Sequence, residues 1–377
     1  MLIMRSLIAC FLLIPFLVSC KTAPNPVETI RIEGGAFIEL SQENLMKGIS
    51  MIPLATNPGC MIGEGYRILD CTEGFFVLDT KEQAVFRFDS KGNFLNKIGK
   101  VGKGPGEYVE IFTGIVTSAG VELLVYSGGP KVFRFTPEGI FIESKKYTES
   151  GTYSFIYDPK RDDYFFYGSF SHKILQLDRE TGAINDSLIK RIPGTGGLIG
   201  RTVFSISSDG SVMFHEIMSS KIFAINRERI HERYRLDFGN MELNENLPTE
   251  ELITRVNQNG YWDVWQVLDN RDYSYFALTR LQPFKPVLRF QIIYRKADKQ
   301  SFCLPDQNAS SIEIIPAFHF TDQNELYLSV NPSEITNSSI WEKYLSGKGI
   351  QISAEDNPVI VKLDIEKVIA FATDEKR

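Results

Sequence analysis

The chain has 377 residues, of which 41 are basic and 47 acidic, and its formal net charge is −6. A chain without excess positive charge or a long basic run lacks the electrostatic footprint of nucleic-acid recognition. Its length corresponds to two ordinary domains or to one large repetitive domain. We therefore expect no nucleic-acid partner, and internal repeats decide the domain organisation.

The first 19 residues have the features of a secretory signal peptide. Arg5 gives a positive start, and residues 6–18 are mostly apolar but too short for a membrane span. The segment ends in Leu-Val-Ser-Cys at residues 17–20, which resembles a bacterial lipobox. We predict that Cys20 is acylated and becomes the new N-terminus, so that lipid chains hold the protein to a bilayer. An ordinary signal peptide with an incidental cysteine is the alternative.

Residues 20–47 are predicted to be the lipidated N-terminus and a tether. The segment begins with polar residues and prolines, Lys21 to Pro26, a composition typical of linkers. We place the start of the folded domain at residue 48 and its end at residue 377.

A repeated strand pattern fills that domain. Apolar residues alternate with polar ones and a polar turn residue follows, at residues 85–89, 132–136, 174–178, 222–226, 291–295 and 360–364. The first four copies begin 42 to 48 positions apart, which is close to the length of one four-stranded propeller blade. The last two intervals are 69 positions each, so they contain insertions.

Each copy has partner strands on both sides. The preceding strand is apolar on both faces, as expected for a sheet covered by neighbouring sheets. These strands are predicted at residues 74–79, 121–126, 163–167, 208–214, 272–277 and 324–329. Turns at residues 137–139, 180–182 and 296–299 lead to an outer strand. The pattern predicts an all-β, six-bladed propeller of four-stranded antiparallel blades.

Short helices and the ring closure complete the predicted fold. Residues 247–253 have a helix-start signature, and residues 333–344 form a second candidate helix that ends at Gly347. Both are short helical insertions in the later blades. Strands at residues 50–54 and 368–371 are competing candidates for the outer edge of the last blade. Closure of the ring removes sheet edges that would promote aggregation.

The chain resembles the six-bladed β-propeller lipoproteins of Bacteroidota, which are related in fold to NHL-type and TolB-type propellers. The resemblance is carried by the lipobox at residues 17–20, the strand and turn at 85–94, and the loop Gly-Lys-Gly-Pro-Gly-Glu-Tyr at 102–108. It implies a location in the cell envelope, attached to the outer membrane. The segment after Cys20 lacks the acidic cluster that resembles a surface-export signal, which favours the periplasmic side.

The sequence contains no signature of a catalytic nucleophile or of a metal site with short ligand spacing. We therefore predict no catalytic residue, metal or cofactor. Candidates for ligand contact are residues of types that bind ligands in propellers, each with a structural alternative such as loop locking or core packing. They are Glu107, Tyr108, His215, Glu216, Trp262, Trp265 and His319.

Three functions are consistent with these observations. The first is a non-catalytic binding module that holds a peptide, a glycan or an envelope protein at the axial mouth or on one face. The second is an axial-channel enzyme, such as a metal-dependent lactonase-like hydrolase, a lyase or a glycosidase, in which His215, Glu216 and His319 converge near the axis. The third is a scaffold subunit of an envelope complex. One propeller scaffold supports binders and enzymes alike.

Overall fold

The computed structural model describes residues 27–63, 65–71, 74–147, 154–168, 171–194, 203–227, 229–244, 246–304 and 314–374. Most strands of this part of the chain form six sheets, the blades, in which consecutive strands pair antiparallel. Each innermost strand contacts the innermost strands of the two adjacent blades, and the last blade contacts the first. The predicted six-bladed propeller is confirmed.

The N-terminal part contributes three strands and a helix to the edges of the ring. They are β1 (Glu28–Arg31), β2 (Phe37–Glu39), α1 (Gln42–Gly48) and β3 (Ile49–Pro53).

The first three blades each have four strands. Blade 1 contains β4 (Tyr66–Cys71), β5 (Gly74–Asp79), β6 (Ala84–Asp89) and β7 (Phe94–Ile98). The short parallel pair that follows it is β8 (Lys100–Val101) and β9 (Glu107–Tyr108). Blade 2 contains β10 (Glu110–Thr117), β11 (Gly120–Tyr126), β12 (Pro130–Phe135) and β13 (Phe141–Lys145). Blade 3 contains β14 (Ser154–Asp158), β15 (Asp163–Tyr167), β16 (His172–Asp178) and β17 (Ile184–Lys190).

The last three blades include all the remaining helices of the described chain. Blade 4 contains β18 (Phe204–Ile206), β19 (Val212–His215), β20 (Lys221–Ile225) and β21 (Ile230–Asp237). A 3₁₀ turn (Gly239–Met241) and α2 (Thr249–Asn259) lead to blade 5, which contains β22 (Tyr261–Asp269), β23 (Tyr273–Leu281), β24 (Leu288–Arg295) and β25 (Gln300–Cys303). Blade 6 and its helices are β26 (Ile314–Phe320), β27 (Glu325–Val330), α3 (Pro332–Thr336), α4 (Ser339–Lys348), β28 (Val359–Asp364) and α5 (Ile365–Asp374).

Local sequence explains why the hairpins form where predicted. In blade 1 the Asp89 carboxylate accepts hydrogen bonds from the backbone N–H groups of Lys91 and Asn93, at 2.8 and 2.9 Å. Gly92 completes the turn with φ of +84°, a conformation that side chains disfavour. The six repeated strands are the third strands of the six blades, and the strands before them are the second strands.

The ring is closed by the N-terminal strand. β3 pairs antiparallel with β28 as the outermost strand of blade 6. β1 and β2 add as parallel fifth strands to blades 4 and 5. Because these strands pair with the blades and Ile30 is 3% exposed, the folded region begins before residue 48, and the tether predicted over 20–47 is correspondingly shorter.

The predicted C-terminal strand at 368–371 is wrong, because this segment lies in α5. Ile365, Val368, Ile369 and Ala372 are all buried and follow helical spacing, so a helix covers the core of blade 6 where a strand does not. The predicted helix at 333–344 is also divided into α3 and α4, and the second of these ends at Gly349 in the left-handed conformation.

A buried carboxylate links blades 4 and 5. The Asp269 side chain is fully buried, and its oxygens lie 2.9 Å from an Arg233 nitrogen and 2.8 Å from the Lys296 ammonium nitrogen. The hydroxyls of Ser207, at 2.7 Å, and Tyr234, at 2.9 Å, also donate to it. Such a carboxylate is stable in the interior only because it is paired and hydrogen-bonded on several sides.

Candidate functional site

A cavity of about 520 Å³ lies on the axis of the ring. The innermost strands of all six blades, β4, β10, β14, β18, β22 and β26, contribute to its lining. Its size is within the range of small-molecule binding sites, which is about 300–1,000 Å³. The cavity is a consequence of ring closure, because strands that are distant in sequence converge at the axis.

Aromatic side chains form much of the lining. They are Tyr66, Phe155, Tyr157, Phe204, Trp265 and Phe318. Several are held by neighbours outside the cavity. Phe155 stacks on Phe166 with ring centroids 5.5 Å apart, and the Tyr157 hydroxyl donates to an Asp162 oxygen at 2.9 Å. The Tyr66 hydroxyl donates to the Asn331 side-chain oxygen at 3.2 Å. These contacts fix the shape of the cavity before any ligand enters.

Few polar groups accompany the aromatic ones. Among the described lining residues, Arg67 is the only charged side chain, and none is Asp, Glu, His or Cys. Burial raises the pKa of the Tyr66 and Tyr157 hydroxyls above their ordinary value, so both stay neutral at physiological pH. The described lining is therefore mostly apolar, with a single positive charge.

Of the seven candidates for ligand contact predicted from the sequence, Trp265 is the one found among the described lining residues. It occupies a β-bulge, since Val264 pairs with Leu278 and Gln266 pairs with Ala277, which leaves Trp265 between two ladder positions. Its side chain is 54% exposed. Bulges often redirect a side chain beside a functional site.

His215 lies behind this bulge and does not line the cavity. It is 3% exposed, and its ring hydrogen-bonds the backbone of Val264 and Trp265. Burial lowers the pKa of His215 from 6.5 to about 4, so the ring is neutral at pH 7. A neutral ring that bonds the backbone of the bulge supports the position of Trp265.

Trp262 lies on the same strand but is buried. It stacks on Phe238 with ring centroids 5.6 Å apart, and its indole N–H donates to a Glu33 oxygen at 3.2 Å. Its contacts are those of core packing, the structural alternative that the sequence left open.

Glu107 and Tyr108 stabilise their own loop. A Glu107 carboxylate oxygen accepts from the backbone N–H of Gly104 at 2.8 Å, and the Lys100 ammonium lies 3.3 Å away. Tyr108 is fully buried in the core shared by blades 1 and 2. Gly99, with φ of +71°, allows close approach of that ring, since a β-carbon there would lie 2.5 Å from it. Neither residue is among the described residues that line the cavity.

Glu216 follows His215 in the chain, but Glu216 and His319 contact other groups than His215 does. The Glu216 carboxylate accepts from the Tyr167 hydroxyl at 3.0 Å and pairs with Lys173, both in blade 3. His319 packs against Tyr327 in blade 6, with ring centroids 5.7 Å apart. None of the three candidates is among the described residues that line the axial cavity. In the described part of the chain, no three His, Cys, Asp or Glu residues are grouped so that they could hold a metal ion. The enzyme hypothesis built on their convergence is therefore wrong.

The described residues do not include Cys20, so its lipidation stays a prediction. None of the helices in the described part of the chain combines the length and hydrophobicity that a membrane span requires.

Two solved structures share the architecture. A protein from Bacteroides fragilis NCTC 9343, named as an exported protein, aligns with a TM-score of 0.66 and 14% identity over 89% of this chain and 99% of its own. A member of the duf4221 family from Bacteroides vulgatus aligns with a TM-score of 0.53 and 11% identity over 84% of this chain and 98% of its own. At such identities the similarity is one of fold.

No curated protein matches the sequence. A family model described as a domain of unknown function, DUF4934, matches residues 28–364, which span the described propeller from β1 to β28. The chain belongs to this family.

Proposed function

We propose that this protein is a non-catalytic binding module of the cell envelope and that its axial cavity holds the ligand. The observation that carries the proposal is the cavity itself, which is enclosed by the inner strands of all six blades and lined by six aromatic side chains. A concave, mostly apolar pocket with a few polar groups is the usual form of a small-molecule site.

The packing around the cavity favours tight binding of a ligand. Phe155, Tyr157 and Tyr66 are held by stacking or hydrogen bonds to Phe166, Asp162 and Asn331, which are not among the lining residues. A ligand therefore does not have to order these side chains, and this lowers the entropic cost of binding. Burial of apolar ligand surface contributes about 25 cal/mol per Å² to the gross free energy of association.

The chemistry of the lining favours binding over catalysis. General acid–base catalysis needs groups with a pKa near the working pH. In the described lining the titratable groups are Arg67, whose side chain stays protonated, and tyrosines whose pKa burial raises. Neither group exchanges protons readily near neutral pH.

We further propose that the module is attached by lipid at Cys20 to the periplasmic side of the outer membrane. The signal-like N-terminus, the lipobox and the name of the Bacteroides fragilis relative as an exported protein support this placement. The first described residue, Val27, is seven positions after Cys20, a reach of about 24 Å when extended. Such a short tether keeps the ring close to the bilayer.

The experiment compares two isoleucine-to-tryptophan variants of the soluble chain that starts at Lys21. Ile206→Trp places an indole in the cavity, because Ile206 lines it and is 41% exposed. Ile184→Trp makes the same change on the outer strand of blade 3, where Ile184 is 61% exposed. Each protein is incubated with an envelope extract, and retained compounds are identified by mass spectrometry.

We expect the wild type and Ile184→Trp to retain the same small molecule and Ile206→Trp to lose it. Equal retention by Ile206→Trp, or no retention by the wild type, contradicts a cavity ligand. Conversion of the retained compound into a product by the wild type contradicts the non-catalytic assignment.

A further inference from the structure

We infer that the cavity ligand is an amphipathic anion, a small molecule with an apolar or aromatic body and one anionic group that pairs with Arg67. This inference rests on the proposed function and adds the chemical class of the ligand. It follows from two properties of the described lining, the predominance of apolar side chains and the single charged one.

The first property argues for an apolar ligand body. Beside the aromatic rings, the lining includes the aliphatic residues Ile68, Leu69, Ile115, Val116 and Ile156. A neutral sugar buried there would have to satisfy several hydroxyl groups, and each one left without a partner costs about 1–3 kcal/mol. Six side chains of the described lining carry a hydroxyl or an amide, and three of them already have partners, since Tyr66 bonds Ser329 and Tyr157 bonds Asp162. An aromatic or aliphatic body, in contrast, can stack on rings such as Trp265.

The second property argues for an anionic group. Arg67 lies on β4 between Tyr66 and Ile68, two buried neighbours, and its own side chain is half-buried. Its guanidinium has five N–H donors in a planar fork, so it can keep contacts within the protein and still bind a carboxylate or sulfonate in two places.

The surroundings strengthen this charge. No acidic side chain is found among the described lining residues, so in this part of the lining no carboxylate competes with a ligand anion. Charge interactions in apolar surroundings are stronger than at an exposed surface, where water and salt screen them. A ligand cation would be repelled by Arg67, and a neutral ligand would gain less from it than an anion does. The cavity therefore selects for an anion.

Two fluorescent probes test this inference directly. 8-Anilinonaphthalene-1-sulfonate and N-phenyl-1-naphthylamine share one aromatic body and differ by the sulfonate. We expect the wild type to bind the sulfonate about tenfold or more tightly, the effect of one hydrogen-bonded charge pair. Ile206→Trp should weaken the binding of both probes, which locates them in the cavity. Equal affinities of the two probes for the wild type overturn the inference, and this comparison needs no variant at position 67.

Substitution then assigns the effect to one side chain. Arg67→Met should lower the affinity for the sulfonate to that of the neutral probe and leave the neutral probe unchanged, whereas Arg67→Lys should retain part of the preference. Arg271→Met is the matched control, because Arg271 is 81% exposed on the surface and should not matter. An Arg67→Met protein that keeps its preference for the sulfonate overturns the inference.

The outcomes separate the inference from the proposed function. If both probes bind in the cavity with equal affinity, the ligand class is wrong and the cavity remains a binding site. If Ile206→Trp changes neither affinity, the probes bind elsewhere, and both the cavity assignment and the inference are contradicted.

Discussion

His215 gives the protein a predictable sensitivity to acid. The ring is buried, and its pKa falls from 6.5 to about 4 on folding because the charged form is poorly solvated in the interior. Between these two values the unfolded chain binds more protons than the folded chain. The free energy of unfolding must therefore decrease as the pH falls from 6.5 toward 4.

The size of this effect follows from the two pKa values. At pH 7.5 the contribution is negligible, because the ring is neutral in both states. At pH 5 the ring is charged in most unfolded chains and neutral in most folded ones. This difference lowers the free energy of unfolding by about 2 kcal/mol. Below pH 4 the loss reaches its limit of about 3 kcal/mol, since each pKa unit corresponds to about 1.4 kcal/mol.

Urea denaturation at pH 7.5 and pH 5 measures this contribution. Carboxylates also titrate in this range, so the informative quantity is the difference between the wild type and His215→Gln, whose amide cannot be protonated. Between pH 7.5 and pH 5 the free energy of unfolding of the variant should decrease by about 2 kcal/mol less than that of the wild type. His172→Gln is the matched control, because the His172 ring is only half-buried at the start of β16. Identical pH dependence in the wild type and His215→Gln would refute the reasoning.

Two further predictions concern stability and membrane attachment. Asp269→Asn removes the buried negative charge that pairs with Arg233 and Lys296, and it should lower the free energy of unfolding by about 3 kcal/mol. Asp298→Asn is the control, because the Asp298 carboxylate of an ion pair is 49% exposed, and it should lower the free energy of unfolding by less than about 1 kcal/mol. Urea denaturation measures both variants, and equal losses of unfolding free energy would contradict this account. Cys20→Ala should abolish incorporation of an alkyne-labelled fatty acid and move the protein from the membrane to the soluble envelope fraction, whereas Cys10→Ala should retain the label. A membrane-bound, labelled Cys20→Ala protein would show that the lipobox assignment is wrong.

The blades were predictable because their third strands carry two signals at once. In β6 and β12 apolar residues alternate and a tight turn follows directly, so neither register nor boundary is ambiguous. The C-terminal helix was wrongly predicted as a strand, although Ile365, Val368, Ile369 and Ala372 follow helical spacing. The β-branched residues in this stretch favoured a strand by local propensity, and burial against α1 and blade 6 decided otherwise.

The cavity was not predictable in the same way. Its residues come from six strands that are separated by dozens of positions, and only closure of the ring brings them together. The strand β18 has only three residues, which is too few for an alternating pattern to identify it. Trp262 and Trp265 show the same limit, because their spacing of three does not reveal the bulge that sends one to the core and the other to the axis.

The central claim is that the axial cavity holds the ligand of this protein. The most direct test is a crystal structure of the soluble chain with the compound retained from the envelope. The account predicts ligand density between the inner strands, in contact with Trp265 and with its anionic group at Arg67. Density elsewhere, for example beside α2 and the exposed Phe284, with only water on the axis, would contradict it.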